Sequence, residues 1–223
     1  YLLADLAAHI KKVGDNPDVH VVILASGGDR TFCAGASFDE LITITNSEDG
    51  KKFFLGFAQV INAIRKCPKI VICRVHGKAI GGGVGIAAAA DYCMATNFGT
   101  IKLSELALGI GPFVIGPAVE RKIGLSAFSQ LALNATEWQT AHWAKEKGLY
   151  HEVFDSIEQL DAYIDEFSQR LAATSTSALH ALKQVLWHDT QHWDQLLDER
   201  AGISGRLVIT EASQKAIRES KIV

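Results

Sequence analysis

The sequence predicts an α/β fold followed by a helical C-terminal region, and three observations carry that expectation. Two β-branched apolar runs, residues 19–24 and 69–75, alternate with segments of helical period. Each run is followed closely by a glycine-rich tract. From residue 119 onward the pattern is helical alone. A chain of 223 residues can form one large domain, or a domain with a small extension. We place the core at residues 1–174 and a C-terminal helical extension at residues 175–223.

Leu3, Leu6, Ile10 and Val13 recur at helical spacing, and Gly14 before Asp15-Asn16-Pro17 ends that helix. The run at 19–24 is too continuous for a one-sided strand, so burial on both faces is expected. A glycine-rich loop spans 27–37. Ser47-Glu48-Asp49 starts the next helix, Phe53, Phe57, Val60 and Ile64 form its apolar stripe, and Pro68 closes it. After the strand at 69–75 come Gly81-Gly82-Gly83 and a small-residue run at 84–90 that reads as a tightly packed buried helix. Short strands are expected at 92–95 and 100–103. Helices then follow at 119–123, 126–133, 138–147, 157–173 and 178–187, with one final charged helix over 194–218.

The formal charge of −3 comes with no basic block, which argues against nucleic acid as the main partner. No apolar run approaches the roughly 20 residues that span a bilayer, and no secretory signal is visible. Cys33, Cys67, Cys73 and Cys93 lack C-x-x-C spacing, so buried reduced thiols in a cytoplasmic setting are expected rather than zinc or a redox pair.

Function is sought in the two glycine-rich elements, Thr31-Phe32-Cys33-Ala34-Gly35-Ala36-Ser37-Phe38 and Val75-His76-Gly77-Lys78-Ala79-Ile80-Gly81-Gly82-Gly83-Val84-Gly85. Small residues after a strand let a ligand touch the backbone itself. The second element opens a helix, whose free N–H groups and positive dipole end face whatever sits at the turn. A dinucleotide loop would need G-x-G-x-x-G and an acid roughly 20 residues on, but Asp91 arrives too early. A phosphate loop would end in Gly-Lys-Ser/Thr, which is absent. Two tight turns with close helix packing is the remaining plain reading of these glycines.

Five features occur in a telling order: Phe32-Cys33-Ala34-Gly35-Ala36, the strand pair, Gly81-Gly82-Gly83, Ala90-Asp91, and Ser104-Glu105-Leu106 with Leu108-Gly109. Together they resemble the crotonase superfamily, the enoyl-CoA hydratases and isomerases, over residues 2–186, including the stretch at 134–153. The resemblance implies a spiral of ββα units with C-terminal helices that build a trimer or a dimer of trimers. It implies an acyl-CoA thioester substrate, with coenzyme A part of the substrate and no separate cofactor or metal. It places two backbone N–H donors for the thioester oxygen on Ala36 and Gly82. Ala34, Gly35, Ser37, Phe38, Gly81, Gly83 and Gly85 then lie around the substrate, while Phe113 and Val114 shape the acyl pocket with Leu41. The family's N-terminal hairpin precedes the point where this sequence begins. Arg30 and Lys78 are candidates for phosphate contacts, as are Lys215 and Lys221 across a subunit interface.

Hydratases of this superfamily usually carry two glutamates. Glu105 matches the second, and the first falls on Gly85, which has no side chain. The stretch at 109–117 offers no replacement acid. Asp91 and His76 read as structural hydrogen-bonding groups, and Asp39 and Glu40 as solvent- or CoA-facing. Glu105 could also be only a helix cap, but its place after a strand and before an apolar glycine-rich loop favours proton transfer. Gly-Gly-Gly-Val-Gly with Leu-Ser-Glu most resembles hydratases of branched, carboxylated acyl-CoAs such as methylglutaconyl-CoA in leucine breakdown. Hydration is therefore the favoured reaction, with a one-glutamate Δ3,Δ2-enoyl-CoA isomerase next. A non-catalytic acyl-CoA binder and an RNA-binding or scaffolding role stand behind both.

Overall fold

The computed structural model describes residues 2–220. The chain begins with α1 (Leu2–Gly14), β1 (Val21–Ala25), β2 (Thr31–Cys33), α2 (Phe38–Leu41) and α3 (Ser47–Lys66). It continues through β3 (Ile70–Val75), β4 (Lys78–Ile80), α4 (Gly82–Ala89), β5 (Tyr92–Thr96), β6 (Ile101–Lys102), a 3₁₀ turn (Leu106–Leu108) and α5 (Gly116–Leu133). The rest is α6 (Ala141–Glu146), β7 (Glu152–Phe154), α7 (Ile157–Ala172), α8 (Thr176–Leu186), α9 (Trp193–Val208) and α10 (Glu211–Ser220). The strands form two all-parallel sheets, one in the order β1-β3-β5-β7 and the other β2-β4-β6. Each successive strand pair gives one strand to each sheet and then a helix, so the α/β spiral of ββα turns is present.

Helix α3 starts where Asn46 accepts a hydrogen bond from the Asp49 N–H, and it buries Phe54, Phe57, Val60, Ile61 and Ile64. Helix α4 has every residue buried, which explains its small side chains. The extension docks on this core, because α9 crosses α3 at two glycines. A methyl carbon at Gly50 would lie 2.8 Å from the Gly205 carbonyl oxygen. At the other end of α4, Asp91 ties α8 to the core. It accepts from the Val71 N–H at 2.8 Å, the Lys183 ammonium at 2.5 Å and the Trp187 indole at 2.7 Å.

Several expectations are corrected. Strand β1 is an edge strand and is not buried on both faces: Ile23 and Ala25, which share one face, are exposed, while Val22 and Leu24 on the other are half-buried. Strand β2 lies within the expected loop, β4 was not expected, and β7 interrupts the supposedly all-helical region by pairing with β5. By contrast, the helices expected at 119–123 and 126–133 are both found, as the two halves of α5 on either side of a non-helical break at Gly124, where φ is +75°. The final charged helix is two, separated at Ile209-Thr210. There the Thr210 hydroxyl donates to the Leu207 carbonyl and accepts from the Ser213 N–H. Three of the cysteines are buried, Cys33 is half-buried, and all are free thiols. No described helix is long and apolar enough to cross a membrane.

Candidate active site

The three strands of the second sheet run parallel and side by side, so their C-terminal ends meet along one edge. Beyond β2 comes Ala34-Gly35-Ala36, beyond β4 comes Gly81-Gly82, and beyond β6 comes Glu105. This edge opens into a cavity of about 480 Å³ lined by those residues. Loops at the carboxyl ends of parallel strands are where α/β folds ordinarily place ligands.

The two glycine loops touch. Gly35 has φ +83°, and a methyl carbon there would lie 2.8 Å from the Ile80 oxygen and 3.7 Å from the Gly82 nitrogen. Gly81, at φ +52°, turns the chain into α4, so the Gly82 N–H is one of the unpaired donors of a helix start. Neither the Ala36 nor the Gly82 N–H has an acceptor among the described residues. The Phe57 ring rests against the Gly82 α-carbon and leaves no room for any side chain.

Glu105 is fixed by a turn that its own carbonyl organises, accepting from the N–H groups of Leu108 and Ile110 at 3.1 Å each. Gly109, at φ +70°, closes that turn. Glu105 holds the N-cap position of the 3₁₀ turn, but its side chain makes no capping bond there. It points toward Gly81, where a methyl carbon would lie 2.8 Å from Oε1. Its Oε2 is buried without a hydrogen-bond partner. Burial away from water raises its pKa from 4.5 to about 7, against a smaller opposing effect of a backbone hydrogen bond. Such a group can both take and return a proton near neutral pH.

The remaining walls are mostly apolar: Phe38, Leu41, Phe54, Phe57, Leu108, Phe113, Val114 and Ile115. Space above Gly85, where the resemblance would put another glutamate, is filled by Ile115, whose Cγ2 would collide with any side chain there. Glu105 is the only carboxylate among the described lining residues.

Of the expected site residues, Ala34, Gly35, Ala36, Phe38, Gly81, Gly82, Glu105, Phe113 and Val114 line the cavity together. Ser37, Gly83 and Gly85 lie outside that lining. Ser37 caps α2 by accepting from the Glu40 N–H, Gly83 is pressed against Cys33, and Gly85 against Ile115. The expectation for His76 is corrected. It is fully buried, but both ring nitrogens lack a partner. Asp39 and Glu40 are exposed. Arg30 sits on the surface beside Asp29, Lys215 lies within 4.0 Å of Glu219, and Lys221 is outside the described residues. Sequence reasoning missed Lys102, Ser104, Thr136, Ser204 and Ser220 as lining residues. Ser104 stood beside the chosen glutamate, but Ser204 and Ser220 come from α9 and α10, and nothing local signals that those helices wall the cavity. No group of three His, Cys, Asp or Glu side chains among the described residues is arranged to hold a metal.

The family model described as "Enoyl-CoA hydratase/isomerase" matches residues 1–221. The chain belongs to this enoyl-CoA hydratase/isomerase family, within the crotonase superfamily. A relative from Arabidopsis thaliana, the peroxisomal Delta(3,5)-Delta(2,4)-dienoyl-CoA isomerase, is 30% identical over 93% of this chain and 79% of its own. The short-chain-enoyl-CoA hydratase of Clostridium acetobutylicum is 28% identical over 79% of this chain and 67% of its own. Among solved structures, an enoyl-CoA hydratase from Bacillus halodurans superposes with TM-score 0.89 at 20% identity, covering 98% of this chain and 88% of the other, a likeness of fold. The family thus includes both hydratases and isomerases, and membership alone does not choose between them.

Proposed function

We propose that the protein shifts the double bond of an enoyl thioester carried on coenzyme A, using Glu105 as its one proton carrier. The observation that carries this reading is Ile115 occupying the space over Gly85, which leaves a single carboxylate in an apolar cavity. With the thioester oxygen between the Ala36 and Gly82 N–H groups, ionised Glu105 takes a proton from C2 of a 3-enoyl chain. The electron pair delocalises through the carbonyl to give a dienolate, and the same carboxyl returns the proton to C4. The double bond then lies between C2 and C3. Each fixed N–H donor aimed at the growing charge contributes about 3 kcal/mol. The apolar walls keep bulk water from quenching the dienolate.

Hydration is the second reading, and the hydroxyls of Ser104 and Thr136 on the cavity wall favour it. They offer places to hold a water that Glu105 could activate. Incubation with 3-hexenoyl-CoA and with crotonyl-CoA separates the two: the first reading expects 2-hexenoyl-CoA and little 3-hydroxybutyryl-CoA. Dominant hydration overturns it in favour of the second. Loss of turnover in Glu105→Gln with CoA-thioester binding retained supports either one, and normal turnover in that variant removes Glu105 from both. Absence of turnover on all substrates would leave an acyl-CoA binder. Exposed Leu182, Val185 and Leu186 on α8 support a homo-oligomeric assembly, a trimer or dimer of trimers, which light scattering tests.

A further inference from the structure

On the face of the second sheet, Lys78 begins β4 and Lys102 ends β6, and the strand register puts them on the same side. Thr31 pairs with Lys78, and Ile80, two residues on from Lys78, pairs with Lys102. The segment carrying Trp138 is bound to this sheet by the Ile101–Gln139 bridge, whose two N–H···O bonds are each 2.9 Å. This brings the indole under both lysines. Lys102 Nζ is 4.7 Å and Lys78 Nζ 5.2 Å from its ring centre. Lys102 also lines the reaction cavity, and its carbonyl accepts the Gly81 N–H at 2.8 Å, one residue from the proposed oxyanion donor. Neither ammonium pairs with a carboxylate among the described residues.

Two cations gathered at one ring repel each other, and the ring face offsets only part of that cost. An anion meeting both would remove the repulsion and gain charge-assisted hydrogen bonds. We propose that Lys78, Lys102 and Trp138 form an anion-binding subsite at the rim of the cavity, which selects a thioester substrate with a carboxylate or phosphate group at that point. The anion has two sources, a carboxylate on the acyl chain or a phosphate of the carrier. The subsite rests on the reading of the cavity as a thioester site, but not on which reaction follows.

Calorimetry with unreactive saturated thioesters tests it without turnover. Butyryl-CoA, glutaryl-CoA and butyryl-pantetheine are titrated into the intact protein and into Lys78→Met, Lys102→Met and Lys102→Arg. If the anion is on the acyl chain, each Met variant lowers the preference for glutaryl- over butyryl-CoA about tenfold or more, the size of one charge-assisted hydrogen bond. If it is a carrier phosphate, the Met variants instead lower the preference for butyryl-CoA over butyryl-pantetheine by that factor. Lys102→Arg keeps the charge and retains most of either preference. Both preferences unchanged in Lys78→Met and Lys102→Met overturn the subsite. No binding of any thioester by the unmodified protein overturns instead the reading of the cavity on which it rests. Lys78 is exposed, so misfolding does not confound its variant.

Discussion

Gly81 and Glu105 are packed so that a methyl carbon on the first would come within 2.8 Å of Oε1 of the second. The two residues lie on separate loops, beyond β4 and beyond β6, and their closeness holds the carboxyl at the cavity. The backbone at Gly81 is also left-handed, at φ +52°, which a side chain resists. Gly81→Ala is expected to fold with a loss of about 1–2 kcal/mol while displacing the carboxyl. Turnover should fall by about a hundredfold or more, the scale set by a 1 Å misplacement of a reacting group. Steady-state kinetics beside a thermal melt checks this, and near-normal kcat would detach Glu105 from the chemistry.

Glu105 should make the protein's stability depend on pH in an unusual direction. Its folded pKa, raised to about 7, exceeds its ordinary 4.5, so between those values the folded state holds the proton more tightly than the unfolded state. Stability from this group is full below pH 4.5 and is lost as pH rises through 7. The whole span is worth about 3 kcal/mol. Glu105→Gln carries no such charge, so its melting temperature relative to the unmodified protein should rise by several degrees between pH 5 and pH 8. In the unmodified enzyme kcat/KM should climb with pH through about 7, as the carboxylate form appears. A pH-independent difference in melting temperature would show that the carboxyl is not desolvated.

The glycine-rich tracts around Gly35 and Gly81-Gly82 were legible as places of close backbone approach because that signal is local, whereas Ala36, Gly82 and Glu105 were singled out by the resemblance to the crotonase superfamily. Strands β2, β4 and β7 were not legible, because two or three residues carry no periodicity and exist only through pairing with neighbours. The break between α9 and α10 contains no glycine or proline and depends on the side-chain bonds of Thr210. Ile115 over Gly85, and Ser204 and Ser220 at the cavity, follow from how distant helices cross. That is three-dimensional information, and a linear pattern does not contain it.

The Asp91–Lys183 pair bears on how the extension holds to the core. Both side chains are almost fully buried, at 2% and 3% exposure, and Lys183 also donates to the Ile64 carbonyl. Removing one partner of such a pair leaves an uncompensated buried charge, at a cost of about 3–5 kcal/mol. Lys183→Met should therefore lower the melting temperature by roughly 10 °C. Adding Asp91→Asn to that variant removes the stranded charge and should recover part of the loss. A Lys183→Met protein as stable as the original would mean that Val71 and Trp187 alone satisfy Asp91.

His76 titrates in the opposite sense from Glu105. Its ring is fully buried at the end of β3, with neither nitrogen hydrogen-bonded. Burial, helped by the nearby Arg74 guanidinium and opposed by Asp29 and Asp161, holds its pKa below the ordinary 6.5. The unfolded chain thus binds a proton that the folded chain refuses, and stability declines as pH falls below about 6.5. Phenylalanine has similar bulk and carries no nitrogen to satisfy, so His76→Phe should be neutral or stabilising at pH 7. Its advantage in melting temperature should widen from pH 7 to pH 5. Because Glu105 is present in both proteins, comparing the two cancels its opposing contribution and isolates the imidazole. If the advantage stays constant over that range, His76 has access to water or a polar partner, and its burial is not what sets its charge.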